Sequence, residues 1–384
     1  MSEATEADPS TEPELRVAVI GTGMMGGEHI RNVGALPGAT VTALVDPEPA
    51  SIAGALATVA DTGADPDAVA TFADVEALVR ADAADLVVVA SPNHTHRAVL
   101  DPLWGTGLHL LIEKPLCTTV DDAQAVAAAA ADHDGVVWMG LEYRFMPPVA
   151  AFVERVHAGD AGDVRMLFVR EHRFPFLVKV GDWNRFTRNT GGTLVEKCCH
   201  FFDLMNLVLG ERPARVLASG GQDVNHLDEV YDGEVPDIAD NAFVIVDYPS
   251  GRRALLDLCM FAEGSRFEKE LVATGDAGKV EVFLPGFMEV ARGRSAELNV
   301  GRRADWSTTP VPLAADDRIG YQGHHHGASY LELLGLVDAV RSGAAPAVTV
   351  DDGLWSVAMG VAAHRSIDEG RPVTLAELGL DPTA

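Results

Sequence analysis

An acid, a histidine and a second acid stand close together in an apolar stretch of the sequence, residues 191–203. The stretch opens with a Gly-Gly pair; Glu196 precedes His200 by four residues and Asp203 follows it by three. In a helix that starts near Thr193, this spacing would place all three titratable side chains on one face. An imidazole between two carboxylates is typical of a base that accepts a proton from a hydroxyl group.

Glu196 also has a structural interpretation. Thr193 and Glu196 have the spacing of a helix capping box, in which Thr is the N-cap and the acid satisfies a backbone amide. The neighbouring Lys197 is either a cation of the site or a solvated helix lysine. The stretch by itself leaves both choices open and favours His200 as the base.

The chain is long enough for two domains and is strongly acidic. Its 384 residues are 47% hydrophobic, and 57 acids against 29 Lys and Arg give a formal net charge of −28. Such a charge argues against binding to nucleic acid or to an anionic membrane surface. No apolar run approaches the length of a membrane span. The four cysteines have no CxxC spacing, so we expect neither a disulfide framework nor a structural zinc site.

Residues 1–14 contain acids but no Lys or Arg. A secretory signal needs a basic start and an apolar core. We therefore expect a disordered acidic tail and a cytoplasmic protein.

The acid excess and the presence of just five lysines also suggest a halophilic source. In a salt-rich cytoplasm, screening relieves the repulsion between surface carboxylates. We expect the thermal stability of the protein to fall when salt is removed, as measured by the unfolding temperature across a salt series. Full stability in low-salt buffer would contradict this hypothesis.

A dinucleotide-binding fingerprint follows the tail. The apolar run 15–20 leads into a Gly-x-Gly-x-x-Gly motif, a helical stretch and a second apolar run, 40–45, which ends at Asp46. The glycines let a pyrophosphate approach the helix N-terminus, and Asp46 would accept hydrogen bonds from the adenosine ribose. Because no arginine follows Asp46 to neutralise a 2′-phosphate, we predict NAD rather than NADP. The predicted contacts at the turn are Gly21, Gly23, Met24, Met25 and Gly26.

Strands and helices continue to alternate as far as residue 142. The buried run 85–90 opens into Ser-Pro-Asn-His-Thr-His at 91–96, and the run 108–112 leads to Glu-Lys-Pro at 113–115. This alternation predicts a Rossmann doubly wound parallel sheet over residues 15–142. Both polar segments lie at carboxyl ends of strands, where such sheets bind their ligands.

The remaining chain, residues 143–384, has a different pattern. Several runs of period two predict a second α+β domain with a large, mostly antiparallel open sheet. One face of such a sheet can form a subunit interface, so we expect a homodimer or homotetramer. In the same domain, His172 and Trp183 offer hydrogen-bonding and aromatic groups that suit a polyol.

These motifs, in this order and spacing, resemble the glucose-fructose oxidoreductase/inositol dehydrogenase (Gfo/Idh/MocA) family. The resemblance runs from Val17 to about Pro372 and rests on the glycine motif, the 91–96 segment, Glu-Lys-Pro and the Gly-Gly stretch. It implies a two-domain, nicotinamide-dependent oxidoreductase that oxidises a secondary hydroxyl of a sugar, cyclitol or related polyol.

The resemblance also implies roles for single residues. The lysine matching Lys114 lies by the reacting carbon, the histidine matching His200 is the proton acceptor, and the acid matching Glu196 is its companion. Lys114 would then stabilise the developing alkoxide while His200 takes the hydroxyl proton. The family commonly has Asp at the place of Glu196 and Gly at the place of Cys198. Glu196 therefore keeps two interpretations, as the partner of His200 or as a helix cap.

The other predicted site residues belong to the cofactor and substrate pockets. Tyr143 and Arg144 either contact the substrate or only pack at the hinge between the domains. His96 either contacts the cofactor or has a structural role. Three consecutive histidines at 324–326 do not predict a metal, because they cannot all face one ion. The expected cofactor contacts are Ser91, Asn93, His96, Glu113 and Lys114, and the expected substrate contacts are Tyr143, Arg144, His172, Trp183, Lys197 and His200.

Two alternative functions remain open within the family. A tightly held cofactor would make the protein an oxidoreductase between two sugars, or a glycoside hydrolase that works by transient oxidation. A nucleotide-bound sugar sensor without catalysis is the second alternative, and the presence of both Lys114 and His200 speaks against it.

Overall fold

The computed structural model describes residues 13–323 and 325–383, so most of the predicted acidic tail and His324 lie outside the described residues. Its first sheet has six parallel strands in the order β3-β2-β1-β4-β5-β6. This order is that of a doubly wound Rossmann sheet, as predicted. The strands are β1 (Leu15–Ile20), β2 (Ala39–Val45), β3 (Ala70–Phe72), β4 (Leu86–Val89), β5 (His109–Glu113) and β6 (Val137–Gly140).

Helices connect these strands and cover the sheet. All four residues of β4 are buried, which explains why its sequence is apolar throughout rather than alternating. Polar caps begin two of the helices, since Asp74 and Thr119 each accept a backbone N–H of the first turn. The helices are α1 (Met24–Gly34), α2 (Pro49–Asp61), α3 (Val75–Ala81), α4 (His96–Leu100) and α5 (Val120–Ala131).

The second sheet has nine strands in the order β14-β13-β12-β11-β7-β10-β9-β8-β15. Neighbours are antiparallel except β7 and β10, which run parallel. The prediction of a mostly antiparallel open sheet is confirmed. The strands are β7 (Val164–His172), β8 (Arg215–Gly221), β9 (Asn241–Asp247), β10 (Arg253–Cys259), β11 (Lys269–Gly275), β12 (Gly278–Leu284), β13 (Glu297–Arg302), β14 (Thr308–Val311) and β15 (Val373–Thr374). The last three strands were not predicted from the sequence.

Helices pack on one face of this sheet, and the last of them also contacts the first domain. Helix α12 contacts α5 and β6 of the first domain and β8, α8 and α9 of the second. None of the described helices is long and apolar enough to cross a membrane. The helices are α6 (Pro147–His157), α7 (Thr187–Thr190), α8 (Thr193–Glu196), α9 (Cys199–Leu209), α10 (Phe287–Ala291), α11 (Ala328–Ser342) and α12 (Val350–Glu369).

Candidate active site

A cavity of 580 Å³ lies at the carboxyl ends of the strands of the first sheet. Asp46, after β2, and Lys114, after β5, both line it. The strand order separates these two residues by three strand spacings, roughly 14 Å. The cavity is therefore elongated along the sheet edge, as an extended dinucleotide requires.

The three glycines of the turn differ in their surroundings. A Cβ atom on Gly21 would lie 2.5 Å from the Ser91 Cα, and one on Gly26 would lie 2.1 Å from the Gly21 carbonyl oxygen. A Cβ on Gly23 would meet no atom within 4 Å. Gly21 and Gly26 thus permit close packing of the chain, while Gly23 faces open space that a ligand can fill.

Nine of the eleven predicted cofactor contacts line the cavity, and Gly26 and His96 do not. His96 is fully buried, with Nε2 3.0 Å from the Ser91 carbonyl oxygen and Nδ1 2.9 Å from that of Pro115. It joins two loops, so its prediction as a cofactor contact is wrong and the structural role is observed. The nine lining residues are Gly21, Gly23, Met24, Met25, Asp46, Ser91, Asn93, Glu113 and Lys114.

Polar groups at both parts of the cavity fit a dinucleotide. The Asp46 carboxylate accepts the backbone N–H of Thr22 at 2.8 Å and its hydroxyl at 3.0 Å, which orients it beside the glycine turn. The buried Asn93 Nδ2 has no hydrogen-bond partner among the described residues. An unpaired buried donor in a cavity wall is a group that a ligand acceptor can satisfy.

The Gly-Gly pair sets the geometry of the segment that carries His200. Gly191 and Gly192 have φ of 77° and 85°, a region that favours glycine. A Cβ on Gly192 would lie 2.3 Å from Nε2 of His364 on α12, and that nitrogen receives the Leu194 N–H at 3.1 Å. Only glycine allows α12 to approach the start of α8 this closely.

Two predictions for this segment are wrong. Gly192, not Thr193, is the N-cap of α8, and the Thr193 hydroxyl donates to the Ala239 carbonyl, so there is no capping box here. The helix is also not continuous, because α8 ends at Glu196 and α9 begins at Cys199.

Asp203, the second acid of the stretch, does not face His200. It pairs with Arg144, whose Nε donates to it at 2.6 Å, and the same guanidinium lies 3.2 Å from Asp352 on α12. A buried carboxylate needs a counter-charge, and Arg144 supplies it. Burial raises the pKa of Asp203 to about 6 in spite of this pairing. The prediction of Arg144 as a substrate contact is therefore wrong, and its side chain joins α9 to α12 within the second domain.

Lys114 connects the cavity with the Gly-Gly segment. It lines the cavity, and its Nζ donates to the Glu196 carbonyl oxygen at 3.3 Å. The preceding Glu113 is anchored to α1 by His29, with Oε1 2.7 Å from Nε2. Burial alone would lower the pKa of Lys114, but the surrounding acidic groups, Cys199 and Glu196 foremost, raise it above its ordinary value. Lys114 is therefore a half-buried, charged ammonium.

His200 is buried and packs against the ring of Tyr143. Its side chain is 2% exposed and stacks on the Tyr143 ring, with centroids 3.9 Å apart. Its Nε2 lies 3.7 Å from Glu142 Oε1, and its Nδ1 has no hydrogen-bond partner among the described residues. Burial and the charges of Lys114 and Lys197 lower the pKa of His200 well below its ordinary value. The imidazole is neutral at physiological pH and can accept a proton.

Glu196 is not the partner of His200. Its carboxylate Oε1 lies 3.4 Å from Lys179 Nζ, and the acid that pairs with His200 is Glu142. Glu196 contributes its backbone carbonyl, which holds Lys114. The predicted side-chain pairing fails because the helix is interrupted between Glu196 and His200.

Lys197 is buried within the domain, and the interpretation as a solvated helix lysine is wrong. It is 6% exposed, its Nζ donates to the Tyr143 hydroxyl at 2.7 Å, and it lies 3.1 Å from Glu171 Oε1. Lys269 lies 3.3 Å from the same oxygen. Burial lowers the pKa of Lys197 to about 8. Burial acts to raise the pKa of Glu171, yet the ammonium groups of Lys197 and Lys269 lower it to about 2.

His172 and Trp183, the two substrate contacts predicted in the second domain, lie in different places. His172 lies 3.1 Å from Asp257 on the open face of the sheet, opposite the buried Glu171 that precedes it. Its prediction as a substrate contact is wrong, because neighbouring residues in a strand point to opposite faces. Trp183 lines the cavity, and Lys179 Nζ lies 4.6 Å from the centre of its ring.

Sequence reasoning missed several charged residues of this region. All five lysines lie in the described part of the chain, and four of them, Lys114, Lys179, Lys197 and Lys269, contact this site. The fifth, Lys279, pairs with Glu281 in a partly exposed position. The scarcity of lysine was therefore a signal for the whole set. The missed residues are Glu142, Glu171, Lys179, Lys269 and His325.

Comparison with known families agrees with this architecture. Residues 15–141 match the model described as oxidoreductase family, NAD-binding Rossmann fold, and residues 153–375 match the C-terminal alpha/beta domain of the same family. The chain belongs to the Gfo/Idh/MocA family. It is an enzyme, an NAD(P)-dependent oxidoreductase.

Individual Gfo/Idh/MocA proteins match the chain over nearly its whole length. Inositol 2-dehydrogenase of Rhizobium meliloti (strain 1021) is 26% identical, over 94% of this chain and 99% of its own. The scyllo-inositol 2-dehydrogenase (NAD(+)) of Bacillus subtilis (strain 168) is 24% identical, over 95% and 97%. An oxidoreductase from Agrobacterium radiobacter, crystallised with NAD+, L-tartaric acid and magnesium, has the same fold, with a TM-score of 0.78, 18% identity and coverage of 95% and 99%.

Proposed function

We propose that the protein is an NAD-dependent dehydrogenase that oxidises a secondary hydroxyl of a cyclitol, sugar or related polyol. The observation that carries the proposal is the position of Lys114, which lines the dinucleotide cavity and also contacts the segment that holds His200. The substrate class is supported by the relatives that match nearly the whole chain, because they are named inositol 2-dehydrogenases.

The wall of the cavity favours NAD over NADP. Four acids line it near the ribose-binding position, and no arginine stands among the described residues that line it. A 2′-phosphate placed there would meet negative charge and lack a guanidinium partner. The four acids are Asp46, Glu48, Asp74 and Glu76.

The residues of the site suit oxidation of an alcohol. When bound, NAD+ supplies the acceptor for the hydride that leaves the carbinol carbon. Lys114 provides an ammonium that stabilises the negative charge developing on the substrate oxygen. The neutral His200 accepts the hydroxyl proton, and the Tyr143 ring and Lys197 keep bulk water from the base.

Turnover with a panel of polyols tests this proposal. We expect the purified protein to form NADH, seen by absorbance, with at least one cyclitol or sugar, and to prefer NAD over NADP. Release of bound cofactor on denaturation would reveal a tightly held cofactor that is recycled between two sugars. An absence of NADH with every substrate would contradict the proposal, and NAD binding retained in that case would favour the non-catalytic sensor.

Asp46 supplies a direct test of the cofactor choice. Asp46→Ala should raise the Kd for NAD about 10- to 100-fold, because the ribose hydroxyls lose a charged acceptor. The substitution should also reduce the ratio of NAD affinity to NADP affinity, because it removes one negative charge from the ribose site. Calorimetric titration with both cofactors measures these changes. Asp121→Ala, which removes an exposed acid from α5, is the matched control; an unchanged NAD affinity in Asp46→Ala would refute the assignment.

The open face of the second sheet supports the expected homo-oligomer. Apolar side chains on this face are 40% to 60% exposed, although most of their neighbours along each strand are buried. Association of two copies through this face would remove that apolar surface from water. The mass of the protein in solution tests this. The exposed side chains are Met166, Leu217, Phe243 and Ile245.

A further inference from the structure

A line of titratable side chains leads from His200 toward the protein surface. Nε2 of His200 lies 3.7 Å from Glu142 Oε1, and the same oxygen lies 3.4 Å from Nδ1 of His325. The side chains of His200 and Glu142 are 2% and 3% exposed, whereas that of His325 is 26% exposed. Two short gaps therefore separate the buried base from a group in contact with water.

We propose that Glu142 and His325 carry to solvent the proton that His200 takes from the substrate hydroxyl. The proposal rests on the proposed function, in which His200 is the base. Glu142 acts through His200 and does not itself touch the substrate.

The steps balance with one proton per turnover. The substrate O–H bond breaks and an N–H bond forms on His200, which becomes an imidazolium. Its Nε2–H bond then breaks as an O–H bond forms on Glu142. Next, this O–H bond breaks as an N–H bond forms at Nδ1 of His325, which loses its other ring proton to water. Oxidation of an alcohol by NAD+ releases one proton, which is the proton that this route delivers.

Glu142 lacks the contacts of a structural carboxylate. Its Oε2 is buried and has no hydrogen-bond partner among the described residues, and Oε1 is shared between two histidines. Buried carboxylates with a purely structural role normally have their oxygens hydrogen-bonded, as Asp203 does with Arg144. An oxygen placed between two imidazoles is instead suited to receive a proton from one and pass it to the other.

The electrostatics favour the first transfer, from His200 to Glu142. His200 holds a proton weakly, since burial and nearby ammonium groups lower its pKa. Burial, reinforced by the charge of Glu113, raises the pKa of Glu142 to about 8, although Lys114 opposes this. A proton on His200 is thus more stable on Glu142. The titratable and charged groups that act on Glu142 from the surrounding elements are Glu113, Lys114, Tyr143, Lys197, Cys199, His200, His325 and Glu332.

The route predicts how the two directions of the reaction depend on pH. Glu142 can accept a proton only when it is ionised, so oxidation of the alcohol should accelerate as the pH rises through about 8. Reduction of the ketone needs the protonated acid, so it should slow over the same interval.

Glu142→Gln is the first test, made on the full chain with NAD and a polyol that the wild type oxidises. Glutamine resembles the protonated acid in shape and charge, so the fold should survive. We expect kcat to fall about 10- to 100-fold and the increase of the rate through pH 8 to disappear. A uniform fall in kcat with the wild-type pH profile intact would assign Glu142 a structural role and overturn the proposal.

His325→Asn is the second test, and His326→Asn is its matched control. His326 is next in sequence, and its φ of 58° is a conformation that asparagine tolerates. In a single turnover, NADH formation is followed by absorbance and proton release by a pH-indicator dye. We expect the two signals to coincide in the wild type and in His326→Asn. In His325→Asn, proton release should lag behind NADH formation about 3- to 10-fold, and added imidazole should restore it.

Two outcomes of these measurements count against the relay. Proton release that keeps pace with NADH formation in both Glu142→Gln and His325→Asn would overturn it while leaving the dehydrogenase function intact. A wild type that binds NAD and oxidises no polyol would overturn both the relay and the proposed function.

Discussion

Replacement of Lys114 by alanine should nearly abolish turnover, with kcat about 1,000-fold lower, while NAD still binds. The ammonium lies where the dinucleotide cavity meets the His200 segment. Loss of a donor to a developing oxyanion typically costs about 100- to 1,000-fold in rate, and the full charge of Lys114 places it at the upper end. Initial rates of NADH formation and calorimetric NAD titration provide the two measurements.

The chain offers a matched control for this variant. Lys279→Ala removes the fifth lysine, which pairs with Glu281 away from the site, and should leave kcat unchanged. Lys114→Ala leaves the acids Glu196 and Glu142 with fewer cations nearby, so its folding has to be checked. Circular dichroism provides this check. A Lys114→Ala protein with normal kcat but lost NAD binding would refute the role in chemistry.

Replacement of Glu171 by glutamine should destabilise the protein by about 3–5 kcal/mol at neutral pH. Glu171 is fully buried, and Lys197 and Lys269 both contact its Oε1, at 3.1 and 3.3 Å. Removal of the shared carboxylate leaves two buried ammonium groups without this partner, which costs far more than the loss of an exposed pair. Urea unfolding measures the change in free energy.

The effect of Glu171→Gln should depend on pH in a defined direction. The pKa of Glu171 is lowered from 4.5 to about 2 in the folded chain, so the ionised carboxylate stabilises the fold above about pH 4.5. That stabilisation is lost as the pH falls from 4.5 toward 2, so the wild type and the variant should converge there. Glu281→Gln, at the partly exposed pair with Lys279, should cost less than about 1 kcal/mol. A difference between wild type and Glu171→Gln that does not shrink at acid pH would contradict this account.

Elements with a local signature were predictable. The glycine turn, the buried run that became β4 and the period-two runs of the second sheet depend on spacing within a few residues. Asp46 and Lys114 could be placed at one sheet edge because parallel strands end on the same side. The same reasoning failed for the 191–203 stretch, where an uninterrupted helix was assumed and two short helices are found.

Partners of charged side chains were not predictable in this way. His172 and Glu171 are adjacent in sequence, yet only Glu171 faces Lys197, because the phase of β7 decides which side chain is buried. The sequence predicts that Asp203 shares a helix face with His200 and that Arg144 contacts the substrate, but the two residues bind each other.

By itself, the sequence determined that this protein has a dinucleotide-binding sheet and a second open sheet, and it singled out Lys114 and His200 as candidate site residues. Those features rest on motifs and periodicity, which are properties of neighbouring residues. The tertiary structure alone decided that Glu142, not Glu196, pairs with His200 and that four of the five lysines contact one site. The physical reason is that a buried charge takes whichever counter-charge the packing of distant segments brings near it.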